Sequence, residues 1–225
     1  MFPETALVTG AAGGIGRALV ALLEAEGAEV RGLDLADGFD VSDPKAWVDV
    51  EAADLVCLNA GVLAKGDGTI DDYRRILGVN VDGVVFGVQA LSPRMQPGSA
   101  FVVTASLAGL IPMESDPLYV LTKHAVVGYS RSMAPVLEQR GIRINLICPG
   151  IVRTPMTEVA QAELDAAGFP LMEPDEIAAA FLLAARSEET GQAWVCQPGR
   201  EPLKFKFPNV PGPRIEGAEG MVPQL

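Results

Sequence analysis

The chain has 225 residues, of which 49% are hydrophobic and 20% charged, and it carries a formal net charge of −12. This composition excludes an intrinsically disordered chain, and the length is enough to bury a core within one domain. The acidic balance argues against a nucleic-acid-binding surface and against attraction to anionic membranes.

The sequence contains no run of about twenty apolar residues, and its first residues lack the basic and apolar regions of a secretion signal. We therefore expect no membrane span and a cytoplasmic location. Cys57, Cys148 and Cys196 lie in apolar, strand-like runs without Cys-x-x-Cys spacing, which predicts buried, reduced thiols. Because His124 is the only histidine, we expect neither a histidine-rich metal site nor a Ser-His-Asp triad.

Short apolar runs alternate with longer segments of helical periodicity along the chain. Strands are predicted, in order, in TALVTG, AEVRGLD, GFDV, DLVCLNAG, SAFVVTAS, IRINLICPG and GQAWVCQPG. Helices are predicted in IGRALVALLEAEG, in TIDDYRRILGVNVDGVVFGVQALSPRM and in LYVLTKHAVVGYSRSMAPVLEQRG, with a stunted one in DPKAWVDVEA and two more before the last strand. This alternation predicts an α/β protein whose parallel sheet has helices on both faces.

The last 26 residues differ in composition from the rest of the chain. Residues 200–225 are rich in proline and glycine and carry four basic against three acidic residues. We predict one catalytic domain over residues 1–199 and a C-terminal tail that packs on the body or on a neighbouring subunit through Phe205, Phe207 and Val210. A mobile tail is the alternative.

A glycine-rich turn, TGAAGGIG at residues 9–16, joins the first predicted strand to the first predicted helix. Gly10, Gly14 and Gly16 allow a tight turn and a close approach of backbone N–H groups to a pyrophosphate, which the helix dipole also favours. The spacing is G-x-x-x-G-x-G rather than the general G-x-G-x-x-G, so the turn alone is a weak signal.

Asp34 ends the second predicted strand, where a carboxylate can accept hydrogen bonds from an adenosine ribose and repel a 2′-phosphate. Ala12, Gly13 and Leu35 supply no Arg or Lys that would counter that repulsion. The sequence therefore favours NAD. Arg17 and Arg31 are the nearest cations and keep NADP as the alternative.

Tyr119 and Lys123 are four residues apart and share one face of a predicted helix. Oxidation of a secondary alcohol needs a base for the hydroxyl proton, and a tyrosine with a pKa near 10 is a poor base at neutral pH. A lysine ammonium one turn away, joined by the positive nicotinamide ring, favours the phenolate and lowers that pKa. We therefore predict Tyr119 as the general acid/base and Lys123 as the group that tunes it. Taken alone, the pair is equally compatible with two surface side chains.

The motifs in their order along the chain resemble the short-chain dehydrogenase/reductase family over about two thirds of the sequence. They are TGAAGGIG at 9–16, Asp34, DV at 40–41, NAG at 59–61, Asn80, Ser106, Tyr119 with Lys123, and PGIVRTPM at 149–156. The resemblance implies a Rossmann-type doubly wound fold, with a mostly parallel seven-stranded sheet between two helical layers. It also implies a homotetramer or homodimer that pairs through the helices near 70–95 and 117–139.

The resemblance assigns a catalytic role to four residues. Tyr119 would move the proton, and Lys123 would also donate a hydrogen bond to the nicotinamide ribose. Ser106 would hydrogen-bond the substrate oxygen and stabilise developing charge. Asn80 would hold a water that links Lys123 to solvent. Read singly, Ser106 is also compatible with a helix cap and Asn80 with a bend in a helix.

The resemblance also assigns contacts with the cofactor. Asp40 and Val41 would border the adenine, residues 59–61 would line the groove at a strand's carboxyl end, and residues 149–154 would wrap the nicotinamide, with Thr154 touching its carboxamide. The full predicted set is Gly10, Gly14, Ile15, Gly16, Asp34, Asp40, Val41, Asn59, Ala60, Gly61, Tyr119, Lys123, Pro149, Gly150, Val152 and Thr154.

Two segments are shorter than the family usually has. The stretch from Val41 to Asn59 predicts a trimmed periphery, and Leu58 stands where a second asparagine is common. The stretch between Thr154 and Pro174 predicts a short lid and an open pocket, which the tail could complete. The predicted pocket walls are Leu107, Leu110, Ile111, Met113, Met156, Phe169 and Met172.

These walls favour a hydrophobic or aromatic alcohol or ketone as the substrate. Glu114 and Asp116 near the mouth would discourage anionic substrates, whereas Lys204, Lys206 and Arg214 of the tail keep acyl thioesters as a weaker possibility. The sequence therefore predicts an NAD(H)-dependent oxidoreductase acting on a secondary alcohol or ketone. The alternative from another class is a sensor or scaffold protein that binds NAD(H) without turnover.

Overall fold

The structure of the protein is a computed structural model, and it describes residues 3–66, 68–209, 211–215 and 217. Within this part of the chain one seven-stranded sheet forms, with strands β1 Thr5–Thr9, β2 Glu29–Leu33, β3 Leu55–Leu58, β4 Ala100–Thr104, β5 Arg143–Pro149, β6 Ala193–Cys196 and β7 Leu203–Lys204. Their order across the sheet is β2-β1-β3-β4-β5-β6-β7. Strands β1 to β6 are parallel, and β7 is antiparallel to β6.

Helices cover both faces of this sheet. They are α1 Gly14–Ala25, α2 Ile70–Leu77, α3 Gly83–Leu91, α4 Pro117–Glu138, α5 Glu158–Ala166 and α6 Pro174–Arg186. One apolar cluster lies between the sheet and the α1–α6 pair, and a second lies between the sheet and the α3–α4 side. The predicted fold class, a doubly wound α/β fold with three layers, is confirmed.

The strands that carry the sheet's centre are almost completely apolar and buried. In β3 and β5, Leu55, Cys57, Ile144 and Leu146 all have 2% or less of their surface exposed. Such strands need cover on both faces, which is why the sequence alternates them with helices. The three cysteines are buried and free, as predicted, and burial raises the pKa of the thiols of Cys148 and Cys196 to about 12.

The long predicted helix with internal glycines is present over Ile70–Leu91, but it is not a uniform α-helix. A five-residue π-helical segment, Gly78–Asp82, joins α2 to α3. The stretch Ile70–Arg94 is long and apolar enough to cross a membrane by length and composition, and half of its most apolar window is buried inside the fold. Here that apolar surface packs on the sheet and on α4.

The prediction of a third strand in GFDV is wrong. Residues 35–50, which we call the outer segment, contain two short 3-10 helices, Leu35–Asp37 and Pro44–Trp47, and no strand. The predicted stunted helix is the second of these. Trp47 is 1% exposed, donates from Nε1 to the Val41 carbonyl at 3.0 Å, and packs edge-on against Phe39. These two aromatic rings close the core where a longer chain would add a strand and a helix.

The seventh strand comes instead from the C-terminal tail. Leu203 pairs with Val195, Lys204 with Trp194, and the Phe205 amide donates to the Ala193 carbonyl at 2.8 Å. The sheet thus has the predicted seven strands, with β7 from the tail in place of the strand predicted in GFDV.

The described part of the tail continues along α4 rather than over the predicted substrate pocket. Phe205 and Phe207 pack against each other and on the core, and the Arg131 guanidinium lies 3.6 Å from the centre of the Phe207 ring. Arg131 is twelve residues beyond Tyr119, which is about 18 Å along a helix. Val210, the third predicted anchor, lies outside the described residues.

Candidate active site

The strand order reverses at the adjacent strands β1 and β3. From β1 the chain continues to β2 on one side, and from β3 it continues to β4 on the other. In open α/β sheets such a switch point creates a crevice at the carboxyl ends of the strands, where ligands bind. Asn59 and Ala60 at the end of β3 face Thr9 at the end of β1: the Thr9 hydroxyl accepts from both of their amides, at 2.9 and 3.1 Å. Asn59 also donates to the Thr9 carbonyl at 3.1 Å. Two predicted cofactor motifs therefore meet at the crevice.

The glycine turn is as tight as its sequence predicts. Gly10 has φ +68°, and a Cβ at that position would lie 2.9 Å from the Ala60 Cα. A Cβ at Gly16 would lie 1.9 Å from the Gly10 carbonyl oxygen, so this position admits only glycine. Gly13 caps α1 without a side-chain hydrogen bond, so no capping side chain satisfies the first N–H groups of the helix. This is the arrangement that binds a phosphate group at a helix N-terminus.

Asp34 lies directly beside this turn. One carboxylate oxygen accepts from the Ala12 amide at 2.9 Å and the other from the Ala36 amide at 3.0 Å. A negative charge therefore stands at the end of β2, where the sequence predicts the adenosine ribose. Among residues near the turn, Arg17 lines a shallow cavity together with Ala12 and Asp37.

Three residues that were predicted to contact the adenine or to form the glycine turn have side chains that make other contacts within the fold. Asp40 accepts from the Ser42 amide and hydroxyl at 2.9 and 2.7 Å. Val41 is buried against Gly83, and Ile15 packs on the α1 side of the core. Asp40 and Val41 can border the crevice mainly through their backbone.

Tyr119, Ser106 and Lys123 come together at the ends of β4 and α4. The Ser106 side chain lies close enough to Tyr119 to favour its phenolate and lower its pKa, and the Ser106 hydroxyl itself accepts from the Ala108 amide at 3.1 Å. Lys123 is 3% exposed, donates from Nζ to the Thr104 carbonyl at 2.9 Å, and lies 5.5 Å from the centre of the Tyr119 ring. Ser106 is thus both a cap and a partner of Tyr119.

The protonation energetics of this group differ from the prediction. Within the chain itself, burial raises the pKa of Tyr119 above its usual value, and the hydrogen bond from Ser106 opposes that rise only in part. Burial also lowers the pKa of Lys123 from 10.5 to about 8. Lys123 by itself therefore does not lower the Tyr119 pKa, because both side chains are desolvated together and burial disfavours both charged forms.

Asn80 lies in the π-helical segment, and its side chain is fully engaged. Its Oδ1 accepts from the Val62 amide at 2.8 Å, and its Nδ2 donates to the Val62 carbonyl at 2.9 Å and to the Thr122 hydroxyl at 3.0 Å. A Cβ at Gly61 would lie 3.4 Å from this Oδ1 and 3.5 Å from Lys123 Nζ. The side chain fixes the loop beside Lys123, and the water-holding role of Asn80 stays a prediction.

The segment after β5 returns to the glycine turn. Gly150 donates to the Cys196 carbonyl at 2.9 Å, and a Cβ at Gly14 would lie 2.7 Å from Thr154 Cγ2. Thr154 therefore closes the crevice from the side opposite Asn59. Pro149 and Val152 are buried below it.

The predicted pocket walls separate into two groups. Ile111, Met113, Met156 and Phe169 are between 36% and 53% exposed and present apolar surface, whereas Leu107 and Leu110 are partly buried. Met172 is not a wall: it is 3% exposed in the core and forms a β-bridge with Val152. The bridge to Val152 holds the backbone of Met172, and its side chain packs into the core and does not line the pocket.

Several residues of the site were not predicted as such. Thr104 and Thr122 hold Lys123 and Asn80, and nothing in their sequence surroundings distinguishes them from other threonines. Thr9, which holds Asn59, is the first residue of the predicted glycine turn. Asp116 caps α4, and here the signal was readable, because an Asp before a Pro at the first helical position marks a helix start. Within the described residues no group of three or more His, Cys, Asp or Glu is placed to hold a metal ion.

Comparison with known proteins identifies the family. A family model described as Enoyl-(Acyl carrier protein) reductase matches residues 45–197, more than half of the chain. An uncharacterised short-chain type dehydrogenase/reductase of Sinorhizobium fredii is 34% identical over 96% of this chain and 47% of its own length. The chain is a member of the short-chain dehydrogenase/reductase family. It spans about half the length of that Sinorhizobium relative.

Other members of the short-chain dehydrogenase/reductase family match over most of their length. The cyclohexanol dehydrogenase of an Acinetobacter species is 31% identical over 80% of this chain and 88% of its own. The 3-alpha-(or 20-beta)-hydroxysteroid dehydrogenase of Mycobacterium tuberculosis is 35% identical over 69% of this chain and 71% of its own. The chain therefore belongs to an oxidoreductase family with named dehydrogenases among its relatives.

Solved structures of the family share the fold. A short-chain dehydrogenase/reductase from Brucella melitensis superimposes with a TM-score of 0.79 at 27% identity, covering 88% of this chain and 98% of that one. A putative 2-deoxy-d-gluconate 3-dehydrogenase from Agrobacterium tumefaciens with bound NADP has a TM-score of 0.77 at 26% identity, covering 87% and 95%. Short-chain dehydrogenases/reductases bind nicotinamide cofactors, and the crevice, glycine turn and free helix N-terminus described above fit such a group.

Proposed function

We propose that the protein is an NAD(H)-dependent oxidoreductase that interconverts a secondary alcohol and a ketone on a small to medium hydrophobic or aromatic substrate. The observation that carries the proposal is the contact of Tyr119 with Ser106, one helical turn from the buried Lys123, at the carboxyl ends of the strands. These are a proton carrier, a hydrogen-bond donor for the substrate oxygen and a cation, next to a crevice suited to a dinucleotide.

In the proposed reaction Ser106 and Tyr119 hydrogen-bond the substrate hydroxyl, and Tyr119 takes its proton as the alcohol is oxidised. When bound, the oxidised nicotinamide supplies a positive charge and accepts the hydride. Since burial raises the pKa of Tyr119, the positive charge near its hydroxyl is what makes the phenolate accessible near neutral pH. Lys123, with a pKa of about 8, is still mostly charged there.

The choice of NAD rests on Asp34. Its carboxylate is fixed by the Ala12 and Ala36 amides beside the glycine turn, where it would accept from ribose hydroxyls and repel a 2′-phosphate. Arg17, which lines the cavity next to Ala12, and the NADP bound to the Agrobacterium relative support the alternative that NADP is used. Comparing kcat/KM for the two cofactors decides between them, and a preference for NADP would remove the role assigned to Asp34.

The substrate class rests on the exposed apolar residues of the predicted pocket wall. Ile111, Met113, Met156 and Phe169 expose 36% to 53% of their surface, and we infer that they form an apolar rim around the entrance to Tyr119 and Ser106. The names of the Acinetobacter and Mycobacterium relatives refer to cyclic secondary alcohols, which such a rim accommodates. We therefore infer that alicyclic or aromatic secondary alcohols belong at the head of a substrate panel.

We also infer a homotetramer or homodimer that pairs through the helices near 70–95 and 117–139, in the cytoplasm. Leu121 and Val136 of α4 expose 46% and 52% of their surface, and Tyr73 of α2 exposes 38%. These apolar side chains support a subunit contact on the α2–α3 and α4 side. Light scattering coupled to size exclusion tests it, and a monomer at micromolar concentration would contradict it.

The decisive experiment is a panel of secondary alcohols with NAD, followed by NADH absorbance, on the wild type and on Tyr119→Phe. We expect the substitution to lower kcat/KM by about a thousandfold, because it removes the proton carrier while keeping the ring. A Tyr73→Phe variant is the matched control and keeps wild-type activity. Near-full activity of Tyr119→Phe on a true substrate would show that another group moves the proton.

The alternative is a sensor or scaffold protein that binds NAD(H) without turnover. It predicts that purified protein binds NADH, measured by fluorescence titration, and leaves the whole panel of alcohols and ketones unchanged. The buried Lys123 argues for catalysis, because a desolvated ammonium destabilises a fold and a purely binding site has no need of it.

A further inference from the structure

We propose that Asp116 is a positioning residue of the candidate site: its carboxylate joins the first turn of α4 to the loop that follows β3, and so holds Tyr119 against Ser106. The inference rests on the proposed function and extends it to a residue outside the catalytic set. One carboxylate oxygen of Asp116 accepts from the Tyr119 amide at 2.9 Å, and the other accepts from the Ala64 amide at 3.0 Å.

Tyr119 needs such an anchor because of where it lies. It is the third residue of α4, and the first turn of a helix has N–H groups without partners inside the helix. The preceding residues, Ile111–Ser115, are exposed and have no helix or strand structure. Asp116 supplies both a side-chain bond to the Tyr119 amide and a carbonyl bond to the Val120 amide, at 2.9 and 3.1 Å. Asp116 thereby fixes the backbone of Tyr119 next to the Ser106 side chain.

The loop at the other end of this link leads directly from the predicted cofactor motif at residues 59–61. Side chains from neighbouring helices hold it residue by residue: Asn80 binds Val62, Asp116 binds Ala64, and the Asp72 carboxylate accepts from the Lys65 amide at 2.6 Å. Asn80 and Asp72 belong to the α2–α3 side, whereas Asp116 belongs to α4. Asp116 therefore couples the crevice loop to the helix that carries Tyr119.

The carboxylate also acts through its charge. Three groups from three elements influence the protonation of Tyr119: Ser106 after β4, Cys148 of β5 and Asp116 at the cap of α4. Lys123 also faces the ring, 5.5 Å from its centre, without lowering the Tyr119 pKa. Asp116 raises the pKa of Tyr119, in the same direction as burial, and the Ser106 hydrogen bond lowers it. Position and charge are thus two separable contributions of one side chain.

Three variants separate these contributions. Asp116→Asn keeps the shape and one acceptor but removes the charge, Asp116→Ser keeps the helix cap but is too short for Ala64, and Asp116→Ala removes both bonds. Asp43→Asn is the matched control, since Asp43 caps the 3-10 helix Pro44–Trp47 through the Lys45 amide, at 2.9 Å, in the outer segment. We expect kcat to fall about tenfold in Asp116→Ala and less in Asp116→Ser, with the substrate KM nearly unchanged.

A second readout does not depend on turnover. The chain has three tyrosines, so Tyr73→Phe with Tyr129→Phe leaves Tyr119 as the only one, and its ionisation is followed by tyrosinate absorbance. In this background we expect Asp116→Asn and Asp116→Ala to titrate at lower pH than the parent, and Asp43→Asn to titrate with the parent. The charge-neutral Asn variant decides the question even where the Ala variant does not fold.

Two results would overturn the proposal: an unchanged Tyr119 titration in Asp116→Asn, or a kcat of Asp116→Ala within twofold of the Asp43→Asn control. If the wild type turns over no alcohol or ketone, the proposed function fails. The shift of the Tyr119 titration still tests the link between Asp116 and Tyr119 in that case.

Discussion

The candidate site and the outer segment, residues 35–50, differ in the kind of side chain that they bury. At the site polar side chains are buried and bonded: Asn80, Thr122 and Lys123 have 3% or less of their surface exposed, and each has a hydrogen-bond partner. The outer segment buries aromatic rings instead, with Trp47 packed edge-on against Phe39. Asp40 and Val41 lie where the two regions meet.

The difference explains how the chain can be short at its periphery and still keep the site. Residues at the site are held by β1, β3, β4, β5 and α4, which form the centre of the sheet and its cover. The outer segment follows the edge strand β2 and packs on α3, where an apolar plug around Trp47 is enough to keep water out of the core. Stability and the proposed chemistry therefore depend on different residues, and this separation can be tested.

The largest effect expected is on stability, at the outer segment. Trp47→Ala removes a fully buried ring and should lower the free energy of unfolding by about 3–5 kcal/mol. The kcat/KM of the folded protein should stay within about twofold of the wild type, because the ring is bonded to the backbone carbonyl of Val41, a predicted cofactor contact, and not to Tyr119, Ser106 or Lys123. Denaturant unfolding and initial rates measure the two quantities. Val48→Ala, at a side chain that is 66% exposed, is the control. A large loss of kcat/KM with intact stability would contradict the separation.

Lys123→Met should do the reverse, weakening catalysis and stabilising the fold. Burial lowers the pKa of Lys123 from 10.5 to about 8, so keeping the ammonium charged in the fold near neutral pH costs about 3 kcal/mol of stability. The substitution also removes the hydrogen bond to the Thr104 carbonyl, which offsets about 1 kcal/mol of the gain. We expect a gain of about 2 kcal/mol at about pH 7 and a loss in kcat/KM of about a hundredfold or more.

The pH dependence of that gain has a definite sign. Between about pH 8 and pH 10.5 the folded chain has released the Lys123 proton and the unfolded chain has not, so wild-type stability rises with pH in this window. The advantage of Lys123→Met should therefore shrink from about pH 7 to about pH 9 in denaturant unfolding. An advantage that is constant over this range would show that Lys123 is not desolvated as described.

Asp34→Asn changes the residue that joins the glycine turn of the site to the outer segment. Removing the charge beside the Ala12 amide should lower the ratio of kcat/KM for NAD to that for NADP by about tenfold, through weaker ribose binding and less repulsion of a 2′-phosphate. Asp43→Asn, at an exposed residue of the outer segment that does not line this cavity, is the charge-matched control. An unchanged ratio would mean that Asp34 does not select the cofactor.

The smallest effect expected concerns the tail. Arg131→Ala removes the guanidinium that stacks on Phe207 at 3.6 Å and should cost about 1 kcal/mol or less of stability. Activity should not change, because Phe207 lies far along α4 from Tyr119. Lys206→Ala, an exposed basic residue of the same tail, is the control. A loss of activity in Arg131→Ala alone would show that the tail influences the site.

Much of the fold could be predicted from local patterns. Apolar runs such as those of β3 and β5 specify buried parallel strands, and glycines with tight backbone, such as Gly16, mark the turn after β1. The prediction for GFDV was wrong because its short apolar pattern resembles that of a strand. In the fold this stretch places Phe39 and Val41 against Trp47. The strand formed by Leu203 and Lys204 was missed because two residues carry no periodicity, and their pairing depends on the exposed edge of β6.

The sequence by itself determined the alternation of strands and helices, the glycine turn, and the chemical identity of the residues at the candidate site, because these depend on residue types at short spacings. Only the tertiary structure decided which polar groups those residues meet. It joined Asp116 to Ala64 across 52 positions and Lys123 to the Thr104 carbonyl across 19. It also desolvated Tyr119 and Lys123 together, and so set their pKa values. Burial and long-range hydrogen bonds are properties of packed elements, and no local stretch of sequence contains them.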